Sequence, residues 1–464
     1  MSATSASTHR LSSYQLLSLA LPVALQMLMQ SALGMVDVMM VAPLGATALA
    51  AVGLAAKLHF LTLVLQSGIA TGCSVLVAQY LGAKDLANSR SILAAALWAG
   101  LGFSLPFFLA CAFGARQWMP LINPDAQVAA LAAEFMIITA PALLFTQLIV
   151  IYEGALRAQG QTGLPMLAAM VSILTNCALN YGLIFGHWGL PELGVLGAAW
   201  GTLLARLLQL VIVVGWVYLR PSGFNLGFAQ LIEACQPARL RRFLAFSAPL
   251  MANYALWGIG NTCYHALTGF AGTEALAAMA VMVPIESGLF ALFVGLASAS
   301  AVLVGRCLGA DQFEQAWYLH RYFDKLTLAL LLLLCSALWL AHEPLLNLFA
   351  PSPEVALVLK HTLALFCLLV WIKVLNMVRI IGVLRAGGDN PFCLITDTIV
   401  MWGIGLPVFA LCVFIWPQSF ITLYCLMFLE DALKFVPVWR RIYKRRWLAN
   451  LTTQPTAPKG EIHV

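Results

Sequence analysis

Long apolar runs separated by short polar connections follow one another along this chain of 464 residues. A helix that crosses a bilayer needs about 20 mostly apolar residues, because the hydrocarbon core is ~30 Å thick and each residue rises ~1.5 Å. Barrel strands would instead alternate apolar and polar positions, which these continuous runs do not. The pattern predicts twelve membrane-spanning helices, at residues 14–42, 47–81, 91–114, 129–155, 164–186, 194–219, 242–270, 275–305, 323–342, 358–384, 391–415 and 418–439.

Composition supports the same class of protein. The chain is 62% hydrophobic and 9% charged, whereas a soluble domain carries about 25% charged residues. Too few polar groups remain to cover a surface in water, so we predict an all-α polytopic membrane protein with lipid as its solvent. The first apolar run shows no cleavage site, so we expect its helix to be a true span and not a signal peptide.

The basic residues fall mainly in alternate connections. If the N-terminus is cytoplasmic, Arg157, Arg385 and the basic run 440–446 lie inside, and the outer connections hold only Arg116 and Lys360. The positive-inside rule then predicts a multi-pass protein of the inner (plasma) membrane with both termini cytoplasmic. These loop residues account for the net charge of +6, so we expect contact with anionic lipid and no nucleic-acid partner.

Other chemistry is not indicated by the sequence. The eleven cysteines lie scattered in apolar segments without a CxxC pair, as is typical of small buried side chains. No phosphate-binding GxxxxGK[ST] motif and no Ser–His–Asp or metal-ligand set is present. We therefore expect neither an enzyme nor an ATP-driven pump, and no bound cofactor.

The chain repeats itself. The stretch LVAQYLGAKD at 76–85 is similar to LVGRCLGADQ at 303–312, and Pro22 matches Pro249, both at a separation of 227 positions. The phrases ALRAQG and VLRAGG follow at a separation of 228, judged by Arg157 and Arg385. A duplicated six-helix unit explains these matches, and an even number of spans makes the two halves parallel, related by an axis along the membrane normal.

This duplication predicts the domain organisation. We expect a cytoplasmic N-terminal tail, an N-lobe of helices 1–6, a cytoplasmic linker, a C-lobe of helices 7–12 and a basic cytoplasmic tail. Their predicted limits are 1–13, 14–219, 220–241, 242–441 and 442–464.

Polar residues inside the spans are candidates for a shared cavity between the lobes. In the first span Gln26, Gln30 and Asp37 lie on one helix face, since they are spaced by multiples of three and four residues. Side chains at the duplicated positions of the seventh span form a second polar stripe, namely Asn253, Trp257, Asn261 and Tyr264. The alternative is that such amides only hold neighbouring helices together.

One carboxylate and several neutral oxygens make a candidate cation site. Asn176 and Asn180 share a face of span 5, and Thr202 lies at the start of span 6. Together with Asp37 they form a plausible Na⁺ cage, but the same carboxylate could instead carry a proton. The sequence leaves both ions open, as well as a purely structural role for the two asparagines.

Several phrases together resemble one family. The stretches MVDVMMVAPLG, GALRAQGQTGLPM, NCALNYGLIFG, GVLGAAWGT and GVLRAGGDNP are similar to those of the multidrug and toxic compound extrusion (MATE) transporters, over residues 14–440. The resemblance implies twelve helices in two lobes around a V-shaped cavity, and exchange of inward-moving H⁺ or Na⁺ for outward-moving organic compounds. It further implies that Asp37, Asn176, Asn180 and Thr202 form the N-lobe cation site.

The C-lobe departs from the NorM-type members that the chain otherwise resembles. Those members have a Glu in span 7 and an Asp in span 10, where this chain has Trp257 and the non-acidic set Lys373, Asn376 and Arg379. We expect Glu286 to be the C-lobe acid, opposed by Lys373 or Arg379. The predicted cavity residues are thus Gln26, Gln30, Asn253, Trp257, Asn261, Tyr264, Glu286, Lys373, Asn376 and Arg379.

The sequence therefore predicts a monomeric secondary transporter that exports small organic molecules, cationic or amphipathic ones first of all. An exporter of an anionic or zwitterionic compound, such as a flavin or a biosynthetic product, is the first alternative. A lipid-linked-sugar flippase, a major-facilitator transporter and an intramembrane enzyme fit the motifs less well, and a passive channel is the alternative of another class.

Overall fold

The computed structural model describes residues 13–220, 223–347 and 353–453, and within these ranges it contains helices and no strands. The predicted tail 1–13 lies almost wholly outside the described residues, as does the end of the basic tail. The N-lobe helices are α1 (Ser13–Val41), α2 (Ala46–Gly82), α3 (Leu86–Ile122), α4 (Ala126–Ala158), α5 (Gly163–Phe185) and α6 (Val195–Leu219). A short helix, α7 (Phe228–Ala234), lies in the connection between the lobes.

The C-lobe has the same number of spans, less regularly built. Its helices are α8 (Pro237–Phe270), α9 (Thr273–Gly309), α10 (Phe313–Leu340), α11 (His342–Asn347), α12 (Pro353–Arg379), α13 (Asn390–Thr398), α14 (Leu406–Phe414), α15 (Phe420–Met427) and α16 (Leu429–Tyr443). Single π-helical turns at 380–384 and 399–405 extend α12 and join α13 to α14. In the part of the chain that the structure describes, eleven helices are long and apolar enough to cross a membrane, and the predicted twelfth span is divided at Phe428 into α15 and α16.

Helix ends differ from prediction where polar residues cap or open a helix. Helix α3 begins at Leu86, not at 91, because the Asp85 carboxylate accepts a hydrogen bond from the Asn88 backbone and caps the polar first turn. Helix α8 begins at Pro237, not at 242, because proline suits the first helical position, where no amide donor is needed. The predicted linker 220–241 thus contains α7 and the first turn of α8.

Each lobe repeats the same helix packing. In the N-lobe α1 packs against α5 and α2 against α4, and in the C-lobe α8 packs against α13 and α9 against α12. Even the turns match: Lys84 and Asp311, 227 positions apart, both adopt left-handed backbone with φ of 58° and 59°. The predicted duplication is therefore present in the three-dimensional structure as two pseudo-symmetric six-helix lobes.

The lobes meet along α1 and α2 of one lobe and α8 and α9 of the other. Glycine permits this approach: a Cβ at Gly68 would lie 2.6 Å from the Cα of Met251, and one at Gly295 would lie 2.9 Å from the backbone nitrogen of Ala24. Gly68 corresponds to Gly295, and Ala24 to Met251, at the separation of 227 positions. The two contacts are thus one contact made twice across a pseudo-twofold axis.

The repeated phrases pair with one another across this interface. Gln79 donates from Nε2 to the carbonyl oxygen of Ala386 at 2.7 Å, and Arg306 donates from Nε and Nη2 to the carbonyl oxygen of Ala158 at 3.0 and 2.8 Å. Gln79 and Arg306 are duplicates, and so are Ala158 and Ala386. Each Leu-Arg-Ala turn therefore offers its carbonyl to the opposite lobe, forming what we call the crossed contacts.

The C-terminal segment, residues 444–453, covers one of the crossed contacts. The Leu451 backbone nitrogen donates to Gln79 Oε1 at 2.7 Å, and the Asn450 amide donates to the Gly309 carbonyl at 3.3 Å. Trp447 is fully buried beside them. This segment therefore links the end of the C-lobe to α2 of the N-lobe.

Gly309→Ala tests the closeness of the lobes. The added Cβ would lie 1.9 Å from the Gln79 carbonyl oxygen, so α9 and α2 must separate, at the ~1–3 kcal/mol usual for overpacking. We expect a lower midpoint of thermal unfolding for the detergent-purified variant. Gly288→Ala is the matched control, since it lies on the same helix with nothing within 4 Å of the added atom. Equal midpoints for both variants would contradict the contact.

Candidate functional site

A polar cavity of about 90 Å³ lies inside the N-lobe, between α1, α5 and α6. Each of the three helices contributes both apolar and polar side chains to its wall. The lining residues are Gln30, Leu33, Asp37, Ala169, Ser172, Ile173, Asn176, Thr202, Ala205, Arg206 and Gln209. The four residues of the predicted cation site, Asp37, Asn176, Asn180 and Thr202, come together in or beside this cavity.

The Asp37 carboxylate is held by the asparagines of α5. Asn180 donates to Asp37 Oδ1 at 2.8 Å and to Asn176 Oδ1 at 3.2 Å, and Asn176 lies 3.4 Å from the Thr202 hydroxyl. With its amide rotated, Asn176 would also donate to Asp37, at 3.1 Å. A side chain at Gly201 would collide with the Asn180 amide oxygen, since its Cβ would lie 2.2 Å away. Spacing of four residues along α5 and close packing of α6 therefore build this arrangement.

The two glutamines of α1 have different surroundings. Gln30 lines this N-lobe cavity. Gln26 is buried and donates to Glu153 Oε2 at 3.0 Å, and it does not line this cavity. The prediction that both glutamines face a cleft between the lobes stays a prediction. One helical turn separates the two positions, and α4 approaches α1 at only one of them.

Sequence reasoning missed three polar residues of the N-lobe. Glu153 on α4 accepts from Gln209 Nε2 at 3.1 Å and lies 3.7 Å from the Arg157 guanidinium, and Arg206 donates to Gln209 Oε1 at 2.8 Å. Arg206 lies within electrostatic range of both Asp37 and Glu153. The available signals were the four-residue spacings between Thr202 and Arg206 and between Glu153 and Arg157. The N-lobe thus holds two carboxylates with one cavity-lining guanidinium between them.

The C-lobe contains a buried ionic cluster. Asp397 accepts from the Asn253 amide at 2.7 Å and from the Lys434 ammonium at 3.0 Å, and Lys434 also donates to Glu430. Arg385 donates to Asn253 Oδ1 at 2.7 Å. Of the predicted C-lobe stripe, Asn253 therefore belongs to this cluster.

The rest of that stripe is dispersed. Trp257 is 43% exposed, Asn261 is half-buried and Tyr264 is buried against Phe409. Of these three residues, Tyr264 is the one close to the ionic cluster. It lies near α14, beside Glu430, which is hydrogen-bonded to Lys434.

The predicted group around Glu286 is corrected in part. Arg379 does not oppose Glu286, because both its Nε and Nη2 bind Asp324 of α10, the shortest distance being 2.7 Å. Asn376 is buried and donates to the Asp431 carbonyl at 2.7 Å, so it joins α12 to α16.

Glu286 and Lys373 have neighbours that the sequence did not suggest. Glu286 accepts a hydrogen bond from the Tyr424 hydroxyl. The Lys373 ammonium lies 5.1 Å from the ring centre of Phe290 and 5.8 Å from that of Phe428, within the range of cation–π attraction. Lys373 makes no ion pair within residues 13–220, 223–347 and 353–453.

Comparison with known proteins agrees with this architecture. A model of the MatE family matches residues 22–182 and 249–411, one stretch in each lobe. An uncharacterized transporter, YisQ, from Bacillus subtilis is 25% identical over 403 residues, covering 85% of this chain and 86% of that one. A probable multidrug resistance protein NorM from Bradyrhizobium diazoefficiens is 32% identical over 303 residues, covering 64% and 63%.

Solved structures share the fold. A crystal structure of MATE in complex with MaL6 has a TM-score of 0.84 at 18% identity, covering 93% of this chain and 96% of that one. An outward-facing multidrug resistance MATE family transporter has a TM-score of 0.83, with the same identity and coverage. Because the family model matches both halves and the two-lobed twelve-helix fold is shared, the chain belongs to the MatE family, whose members are membrane transporters and not enzymes.

Proposed function

We propose that this protein is a proton-driven exporter of small organic compounds and that Asp37 carries the coupling proton. The names of its relatives support the export of organic compounds: besides the Bradyrhizobium protein, one from Agrobacterium fabrum is called probable multidrug resistance protein NorM, at 26% identity over 405 residues. The single observation that favours a proton as the coupling ion is the position of Arg206 in the same cavity as Asp37.

Arg206 disfavours a bound Na⁺. A sodium ion beside Asp37 would sit near a guanidinium that already carries the local positive charge, and two like charges about 5 Å apart repel by ~3 kcal/mol at an effective dielectric of ~20. A proton adds no separate ion to the cavity, since it neutralises the carboxylate itself.

Protonation of Asp37 would change the interactions of Arg206 in the N-lobe. While Asp37 is ionised, it attracts Arg206; once Asp37 is protonated, the neighbouring carboxylate of Glu153, reached through Gln209, is the stronger partner. A ligand shifts a conformational equilibrium only through different affinity for its two states. Movement of Arg206 between the two acids is such a difference, and it links α1 to α4 and α6.

The direction of transport follows from the proposed orientation. With both termini cytoplasmic in a bacterial inner membrane, the crossed contacts close the cytoplasmic end between the lobes. One proton moving inward supplies ~2.3 kcal/mol per 100 mV, enough for roughly 40-fold accumulation of an uncharged compound. We propose that the transporter works as a monomer surrounded by lipid, since the pseudo-twofold axis already lies within one chain.

Lys373 favours a second candidate substrate class. Its ammonium is flanked by two aromatic rings and has no carboxylate partner among the described residues, an arrangement suited to an aromatic anion or zwitterion. A panel of cationic and anionic dyes in proteoliposomes separates the two classes. A passive channel would let either dye equilibrate without an imposed gradient.

Asp37→Asn tests the coupling residue. The amide keeps the hydrogen bond to Asn180 but cannot take up a proton, so we expect at least 10-fold slower dye efflux driven by an imposed pH gradient. Asp125→Asn is the control, because asparagine caps a helix start as well as aspartate does and Asp125 caps α4. Transport by Asp37→Asn at the rate of the control would eliminate the proposed role.

Arg206→Gln tests the choice of ion. Removing the guanidinium leaves Asp37 with neutral oxygen ligands only, so we expect an inward Na⁺ gradient, without a pH gradient, to drive efflux in this variant and not in the native protein. Arg206→Lys keeps the positive charge and should remain unresponsive to Na⁺. Na⁺-driven efflux by the native protein would show that the guanidinium does not exclude the ion.

A further inference from the structure

The C-lobe contains a counterpart of the Asp37 site in which the acid has moved to another helix. Under the repeat, Asp37 corresponds to Tyr264, Thr202 to Glu430 and Arg206 to Lys434, at separations of 227, 228 and 228 positions. The N-lobe has an acid on its first helix and a hydroxyl and a cation on its last. The C-lobe has a hydroxyl on its first helix and an acid and a cation on its last, so both lobes carry the same three chemical groups.

These C-lobe groups are close together and buried. Glu430 and Lys434 are each 6% exposed and hydrogen-bonded to each other. The Tyr264 hydroxyl is buried, and the Glu430 carboxyl is its acidic neighbour. A protonated Glu430 would have the Tyr264 hydroxyl as its polar neighbour, whereas an ionised Glu430 is paired with the Lys434 ammonium.

Charge in the cluster is unbalanced around Lys434. The Lys434 ammonium forms ion pairs with two carboxylates, those of Glu430 and Asp397. Asp431 is a third acid near the same ammonium. Two neighbouring carboxylates in a poorly solvated site do not both stay ionised without cost. Of the two that Lys434 contacts, Asp397 has a second donor in the Asn253 amide, whereas Glu430 has Lys434 and the neighbouring Tyr264 hydroxyl.

The remaining charged group lies on the far side of Asp397. Arg385 reaches the cluster through the Asn253 side chain, and its guanidinium lies 4.8 Å from the ring centre of Tyr254. Its positive charge adds to that of Lys434 near Asp397. Of the two carboxylates that Lys434 contacts, Glu430 therefore has the weaker positive surroundings.

We propose that Glu430 is a second proton-carrying group, which takes up and releases one proton in each transport cycle. On protonation Glu430 gives up the ammonium and Lys434 pairs with Asp397 alone; on deprotonation the ammonium is shared again. The irregular segments lie beside these residues, the π-helical turn at 399–405 after Asp397 and the division at Phe428 before Glu430. The inference rests on the proposed proton coupling and adds a second proton to it.

The first experiment detects the protonated carboxyl without any substrate. Infrared difference spectra of the purified protein, recorded between neutral and mildly acidic pH, should contain a carboxyl C=O band that is lost in Glu430→Gln and a separate band lost in Asp37→Asn. Asp431→Asn is the matched control, an adjacent acid without a bond to Lys434, and should keep both bands. Glu430→Gln leaves Lys434 balanced by Asp397, so it should fold.

The second experiment counts charge during transport. Exchange of one monovalent organic cation, ethidium, for two protons moves net charge and responds to membrane potential, whereas exchange for one proton does not. We expect potential-dependent ethidium efflux in native proteoliposomes and potential-independent efflux in Glu430→Gln. If ethidium is not carried, an anionic dye is compared in the same way. Its efflux should depend less on membrane potential in Glu430→Gln than in the native protein.

The outcomes separate the two proposals. Unchanged spectra together with unchanged potential dependence in Glu430→Gln would overturn the second site and leave Asp37 untouched. Loss of thermal stability alone, with native spectra and potential dependence, would mean that Glu430 is only the partner of a structural ion pair, and would overturn it as well. Gradient-driven transport that survives Asp37→Asn would instead overturn the proposed coupling through Asp37.

Discussion

The contact between the lobes at glycine is the constraint on which the rest of this structure depends. In lipid the hydrophobic effect does not drive helices together, so association depends on close packing and on hydrogen bonds between backbones and side chains. Here Gly68 and Gly295 bring α2 and α9 against the other lobe, and Gln79 and Arg306 then reach carbonyl oxygens that would otherwise lie unpaired in a helix end. Small residues let the helices of the two lobes come close together, and this short separation brings the hydrogen-bonding groups within reach of one another.

The ionic clusters lie within the lobes and obey a second constraint. A charge within the membrane requires a partner or water, and each lobe meets that need with a cation from its last span, Arg206 or Lys434. The cations occupy duplicated positions, whereas the acids do not: Glu153 is on α4 and Asp397 on α13. The two lobes therefore share the position of the cation, whereas the acid that faces it lies on a different helix in each lobe.

Much of the fold was predictable, because hydrophobicity over twenty residues and a repeat at constant separation are long-range signals in a single sequence. Helix ends were less accurate, since Asp85 and Pro237 extend their helices through polar turns that hydrophobicity ignores. In the site, the four-residue spacing of Asn176 and Asn180 placed both on one face of α5, and the resemblance to the MATE transporters implied that they join Asp37. Partners far apart in sequence were not accessible in this way: nothing local links Arg379 to Asp324, 55 positions away. Of the two alternative partners of Glu286, Lys373 or Arg379, the second is therefore excluded.

Divergence at the crossed contacts has a consequence for how such a molecule can change over evolutionary time. A symmetric dimer of one half would need a surface complementary to itself, so a substitution would appear at both crossings together. Joined in one polypeptide, the halves carry a neutral amide at one crossing and a guanidinium at the other, and the segment 444–453 covers the first. The two halves are no longer exchangeable parts, and a mutation that one half tolerates is no guide to its duplicate.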